Sequence, residues 1–211
     1  MTADQVAVPS EHDVVEAGHD APATGMGVSN TKLAMWLFLS SDCLFFGAFI
    51  SAYLFYRGRP QPGPHPVDVY NIPFTSVTSF VLLMSSLTMV LALAAIQRGD
   101  HHGARVWLVA TALLGMTFIS GQVYEFTVFV REGFTVRSSP AGSAFFILTS
   151  FHGAHVTVGI LMLLSLVSMS LRGRLPTERA TTVEYVGLYW HFVDIVWIVI
   201  FTIVYLIPST K

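Results

Sequence analysis

The sequence predicts an all-α integral membrane protein, a bundle of five transmembrane helices. Of its 211 residues, 53% are hydrophobic and only 11% are charged, whereas a soluble domain usually carries about 25% charged residues. The mean hydropathy of +0.62 agrees with this composition. These values exclude an ordinary soluble domain, a disordered chain and a nucleic-acid-binding protein. The single cysteine, Cys43, excludes a disulfide framework and any paired-cysteine metal motif.

Five apolar segments are long enough to cross the roughly 30 Å hydrocarbon core of a bilayer, for which a helix needs about 20 residues. Backbone amides in lipid must be satisfied within the segment, so we interpret these segments as helices. The short links between them make consecutive helices antiparallel neighbours. The predicted helices cover residues 33–56, 74–97, 105–130, 141–171 and 183–207.

Each segment has a distinct polar content. The segment 33–56 contains one acid, and 74–97 contains no charge but many small hydroxyl residues, which permit close helix packing. The segment 105–130 contains one acid. The segment 141–171 contains two histidines and no formally charged residue. It exceeds the length of one crossing, so we expect it to tilt or to extend into water. The segment 183–207 contains both acids and a histidine.

The first 31 residues differ from the rest of the chain. They hold five acids and no Lys or Arg, and they lack the basic start and apolar core of a signal peptide. We therefore expect a disordered acidic tail over 1–31 and a transmembrane domain over 32–211. Six Lys and Arg residues lie on the side of the membrane where the first helix starts, and five lie on the opposite side. The positive-inside rule then predicts a cytoplasmic N-terminus and an external C-terminus.

Ionisable side chains at membrane depth are the candidate functional residues, because lipid makes each of them costly. His152 and His155 are three residues apart, as are His191 and Asp194, so each pair shares a helix face. The favoured interpretation is a structural network in which carboxylates accept hydrogen bonds from imidazoles or indoles and thereby join helices. Its predicted members are Asp42, Glu125, His152, His155, His191 and Asp194.

Three other interpretations stay open. Two histidines and two carboxylates suit iron, although carboxylate-bridged bundles use paired Glu-x-x-His motifs. A proton path could run through Asp42, His191 and Asp194. Bis-histidine haem ligation needs facing helices, whereas His152 and His155 lie on one helix. Because the sequence has no phosphate-binding loop and no hydrolytic triad motif, we assign no catalytic residue.

Four ordered motifs resemble subunit III of the haem-copper terminal oxidases, the family of cytochrome c oxidase and ubiquinol oxidase. The first reads Trp-Leu-Phe-Leu-Ser-Ser-Asp at 36–42, and the second is Gln122 with Tyr124-Glu125. The third reads Phe-His-Gly-Ala-His-Val at 151–156. The fourth, Tyr-Trp-His-Phe-Val-Asp-Ile-Val-Trp at 189–197, is the most specific. The resemblance covers roughly residues 31–208.

The resemblance implies an accessory subunit of a proton-pumping oxygen reductase in a prokaryotic inner membrane. Subunit III of that family binds neither haem nor copper, so we expect these cofactors in partner subunits. It packs on subunit I, with subunit II and a small subunit IV as further candidate partners. It also holds phospholipid, sustains proton uptake and protects the complex during turnover. Arg172 and Arg174 are our candidate contacts for lipid headgroups.

The sequence departs from the family pattern in two respects. It resembles the five-helix form, which lacks two helices that elsewhere help to build a lipid cleft. Asp42 stands where cytochrome c oxidases usually have Glu, and the run 41–43 resembles ubiquinol oxidases, whereas 151–156 resembles the cytochrome c type. We favour cytochrome c oxidase, with ubiquinol oxidase as the alternative. An alternative from another class of protein is a small proton-coupled transporter, in which Asp42, His191 and Asp194 would form the carrier site.

Overall fold

The computed structural model describes residues 30–57, 71–173 and 180–207, and these contain five long helices and no strand. All five helices are long and apolar enough to cross a membrane. The predicted all-α class is therefore confirmed. The helices are α1 (Asn30–Arg57), α2 (Ile72–Gln97), α3 (His101–Arg131), α4 (Pro140–Leu171) and α5 (Ala180–Phe201), which continues into a π-helical turn, Thr202–Leu206.

Side-chain caps from Asn71, Asp100 and Ser139 determine where α2, α3 and α4 begin. Asn71 accepts a hydrogen bond from the backbone of Phe74 at 3.2 Å and starts α2. Asp100 accepts one from Gly103 at 2.8 Å, so α3 begins four residues before its apolar segment. A capping oxygen satisfies an amide that the helix leaves without a partner. Hydropathy detects the apolar segment only, which is why the structure's helices start earlier than predicted.

The chain divides into two compact units, Met1–Ser40 and Ser41–Lys211, with the boundary inside α1. The predicted acidic tail, 1–31, lies outside the described residues except for Asn30 and Thr31, which are already helical. Arg174, one of the two candidate lipid contacts, also lies outside them.

Within the second unit, α2 packs along α3 and α5, and α4 packs along the same two helices. The part of α1 that belongs to this unit contributes mainly ring contacts. Phe46 is buried and lies 5.5 Å from the Phe151 ring of α4, while Phe45 stacks on the same ring at 5.3 Å. The core of the unit is therefore formed by α2–α5, and α1 adds an aromatic contact to α4.

The indole of Trp190 packs against α3 and α4 at positions where both helices carry a glycine. A Cβ added at Gly115 of α3 would be 2.6 Å from Cη2 of Trp190. A Cβ added at Gly159 of α4 would be 2.8 Å from Cε3 and Cζ3 of the same indole. Trp190 is fully buried as a result. The two glycines thus let α3 and α4 close around a side chain of α5.

We predict that Gly115→Ala and Gly159→Ala each lower the free energy of unfolding by about 1–3 kcal/mol, because the added carbon must displace Trp190 from a closely packed core. Thermal or detergent-induced unfolding of the purified protein measures the effect.

Gly47→Ala is the matched control, because a Cβ at this helical position meets no atom within 4 Å. It should leave stability unchanged or raise it by up to about 1 kcal/mol, given the helix propensity of alanine. Equal losses of unfolding free energy in all three variants would show that the contacts with Trp190 do not cause the destabilisation.

Candidate functional site

Three polar side chains of α5 bond to hydroxyls on the facing side of α2. The two indoles are donors, and the imidazole shares a proton with its serine in a direction that its tautomer sets. These bonds satisfy groups that would otherwise be unpaired in lipid. The pairs are Trp190 Nε1 with Ser85 Oγ (2.9 Å), His191 Nδ1 with Ser86 Oγ (2.6 Å) and Trp197 Nε1 with Ser79 Oγ (2.8 Å).

The sequence predicted that carboxylates would accept hydrogen bonds from the indoles, but the acceptors are serines. The hydroxyl residues of α2 were interpreted only as small residues that permit close packing. A partial signal was present, since Trp190 and Trp197 are seven residues apart, about two helical turns, and so repeat on one face of α5. Their acceptors Ser79 and Ser85 are six residues apart, so no matching seven-residue repeat on α2 marked them.

Glu125 of α3 joins three elements near the N-terminal end of α2. The hydroxyl of Thr75 donates to its Oε1 atom, and the phenol of Tyr205 donates to its Oε2 atom at 3.4 Å. All three side chains are buried. The carboxyl group therefore connects α3 to α2 and to the π-helical turn that follows α5.

Asp42 of α1 lies beside His155 of α4, with 3.5 Å between Oδ2 and Nε2 and about 15% of each side chain exposed. Nδ1 of His155 donates to the carbonyl of Phe151 at 2.8 Å. A neutral imidazole with its proton on Nδ1 leaves Nε2 as an acceptor. The contact therefore joins α1 to α4 through an acidic and a basic side chain.

His152 and Asp194 are buried, and neither has a hydrogen-bond partner among the described residues. His152 is fully buried, and its ring stacks on the Trp197 indole at a centroid distance of 4.9 Å. Asp194 is 3% exposed, and neither of its carboxyl oxygens forms a hydrogen bond with the part of the chain that the structure describes. The shared helix face of His191 and Asp194 does not bring them into one hydrogen bond, because His191 bonds to Ser86 instead.

The chemistry open to these residues is hydrogen bonding and proton holding. Over the described ranges, no three His, Cys, Asp or Glu side chains converge closely enough to hold a metal ion. The six candidate residues do not form one cluster either. They lie in separate places: an α1–α4 pair, an α2–α3–α5 carboxyl site, an α2–α5 row and two unpartnered groups.

Sequence reasoning missed a groove between α1 and the start of α4. Apolar side chains line its length, and polar groups lie at the end where α4 begins. Arg172, the described candidate for a lipid headgroup, caps the opposite end of α4. A signal was present, since a basic residue and two serines directly precede a long apolar helix. The lining includes Phe49, Ala52, Tyr56, Arg137, Ser138, Ser139 and Ile147.

The family model of cytochrome c oxidase subunit III matches residues 11–209, which extends beyond the start of the resemblance at residue 31. Subunit 3 of the cytochrome bo(3) ubiquinol oxidase of Pseudomonas aeruginosa is 36% identical over 96% of this chain and 98% of the relative. Cytochrome c oxidase subunit 3 of Bacillus sp. (strain PS3) is 35% identical over 84% of this chain and 86% of the relative. The probable quinol oxidase subunit 3 of Staphylococcus saprophyticus is 36% identical over 83% and 88%.

We predict that Trp197 and Ser79 are energetically coupled. In a double-mutant cycle of Trp197→Phe and Ser79→Ala, the coupling energy should be about 0.6 kcal/mol and at most about 1.7 kcal/mol, the mean and the maximum measured for hydrogen bonds between membrane helices. Unfolding of the purified protein in mixed micelles provides the four free energies.

Ser120→Ala supplies the control cycle with Trp197→Phe. Ser120 is exposed, and its hydroxyl donates to the carbonyl of Met116 in its own helix at 2.8 Å. Its coupling to Trp197 should be near zero. The same result for Ser79 would contradict the interhelical bond.

Proposed function

The chain belongs to the cytochrome c oxidase subunit III family, and we propose that it is the non-redox accessory subunit of a proton-pumping haem-copper oxygen reductase. Haem and copper would reside in partner subunits, and this chain would bind neither. The observation that carries the proposal is the use of the intramembrane polar groups: they join helices, and no described set of them suits a metal. The bacterial plasma membrane is the proposed location, with the N-terminus cytoplasmic.

Subunit I is the proposed main partner, with subunit II and a small subunit IV as further partners. Only 11% of the most apolar window of α1 is buried within the chain. Leu44 and Phe55 of this helix are more than half exposed. The exposed apolar surface of this helix can contact a neighbouring transmembrane subunit or lipid, which supports a role inside a larger membrane complex.

Phospholipid is the proposed occupant of the groove between α1 and α4. Arg137 and the hydroxyls of Ser138 and Ser139 offer a cation and donors for a phosphate, beside the N-terminus of a long helix. Phe49 and Ile147 offer an apolar lining for an acyl chain. The 32 residues of α4 span about 48 Å, so its ends reach both interfaces. Arg172 would then meet headgroups of the other leaflet.

Cytochrome c is the proposed electron donor of the complex, on the strength of the motif at 151–156, and a quinol is the second candidate. The run 41–43 and the Pseudomonas relative, which aligns with 96% of the chain, favour the quinol. Oxygen uptake by the purified complex with reduced cytochrome c or with ubiquinol distinguishes the two. Uptake with ubiquinol alone would reverse the assignment. Membership of the oxidase family removes the transporter interpretation.

We predict that removing this chain from the purified oxidase leaves haem and copper per complex unchanged and the initial rate of oxygen reduction largely retained. Activity should then decline over successive turnovers, because the remaining subunits have lost the chain that sustains proton uptake. Metal analysis, haem spectra and oxygen uptake provide the measurements.

Adding the purified chain back should restore the lifetime of the complex and serves as the control. Loss of a haem or copper equivalent with the chain would contradict a non-redox role. An immediate stop of turnover with cofactors intact would instead favour the proton path.

We predict that Arg137→Ala lowers the amount of phospholipid that stays with the purified complex, because the phosphate loses its cation. Mass spectrometry of the retained lipids measures this. Arg131→Ala is the matched control, since Arg131 is exposed at the nearby end of α3 and does not line the groove. Wild-type lipid content in Arg137→Ala would contradict the proposed headgroup contact.

A further inference from the structure

His152 and Asp194 lie at nearly the same depth on facing antiparallel helices. The ring of His152 stacks on Trp197, and Gly159 lies against Trp190, which fixes the register of α4 against α5. In this register Asp194 is level with residue 155 of α4. At 1.5 Å per residue, His152 and Asp194 are therefore separated by about 5 Å along the helix axes.

The hydroxyls around these two groups already have partners. Ser79 donates to the carbonyl of Thr75 at 2.6 Å and accepts from Trp197. Thr149, one turn from His152, donates to the carbonyl of Phe145 at 2.7 Å. The protein therefore has no hydroxyl proton left for His152 among these neighbours.

Within the described chain, Ser86 is the hydroxyl close enough to interact with Asp194, and it is hydrogen-bonded to His191. A hydroxyl has a single proton, so Ser86 could serve at most one carboxyl oxygen. At least one oxygen of Asp194 and both ring nitrogens of His152 remain without a partner from residues 30–57, 71–173 and 180–207. In the interior of a membrane protein, such unpaired groups are costly enough to require a partner from elsewhere.

The missing partner must be small and must both donate and accept. An imidazole needs a donor for one nitrogen and an acceptor for the other, and a carboxyl group needs at least a donor. A metal ion does not fit, because no third ligand joins these groups in the described chain. Water has the required size and makes about three hydrogen bonds when buried in proteins.

We propose that ordered water is bound in the middle of the helix bundle, hydrogen-bonded to His152 and Asp194. Phe118 and Val156 are buried beside the site and shield it from bulk solvent. Exchange of this water with the solvent is therefore slow. The water links α4 to α5 through hydrogen bonds, as the serines link α2 to α5.

Millisecond X-ray radiolysis of the intact oxidase complex tests the site, because hydroxyl radicals form from bound water and oxidise the side chains beside it. Trp197, although only 2% exposed, should be oxidised. After brief mixing with ¹⁸O-labelled water, its product should still carry ¹⁶O, whereas the product of the half-exposed Trp36 should carry ¹⁸O. The double variant His152→Phe/Asp194→Leu should lose the Trp197 product.

Ser85→Ala is the matched control, since it also removes a buried polar partner of an indole, that of Trp190. It should leave oxidation of Trp197 unchanged. Absence of Trp197 oxidation in the wild type would overturn the proposal, and so would undiminished oxidation of Trp197 in the double variant.

A cryo-electron microscopy map of the wild-type complex provides a test that needs no variant, in case the double variant does not assemble. Density for water should lie about 2.7–3.2 Å from a nitrogen of His152 and from an oxygen of Asp194. A direct bond between the two side chains, or absence of such density in a map that resolves other buried waters, would overturn the proposal.

Discussion

The hydrogen bonds from the α5 indoles to the serines of α2 are the interaction on which the rest of the helix packing depends. Lipid tails are as apolar as leucine, so burial of apolar side chains gives membrane helices little reason to associate. An indole N–H in lipid, in contrast, is costly until it finds an acceptor. Trp190 and Trp197 therefore fix both the rotation and the register of α5 against α2.

The same two indoles organise the helices on the other side of α5. Trp190 fills the space that Gly115 of α3 and Gly159 of α4 leave open. Trp197 contacts the Phe118 ring of α3 at 4.8 Å and stacks on His152 of α4. Each indole thus bonds to one helix through its N–H group and packs on two others with its ring. A smaller aromatic residue would supply the packing without the bond.

Hydropathy was sufficient to predict five helices, because length and low charge are properties of each segment alone. The partners of the polar residues depend on how the helices are rotated against one another, which one sequence does not encode locally. His191 and Asp194 illustrate this, since they share a helix face and yet only His191 has a hydrogen-bonded partner within the described residues. The groove at Arg137 was missed for the same reason, because its lining comes from two helices.

Two polar contacts explain how α1 stays with the other helices although little of its surface is buried. Near the middle of α1, Asp42 lies beside His155. Near its C-terminal end, Arg57 donates from Nη1 to the carbonyl of Ile203 at 2.7 Å and lies 5.8 Å from the centre of the Tyr53 ring. Ile203 is in the π-helical turn after α5, where backbone carbonyls depart from the regular α-helical pattern. The turn and the guanidinium therefore satisfy each other, and ionisable side chains hold α1 to α4 and to the segment that follows α5.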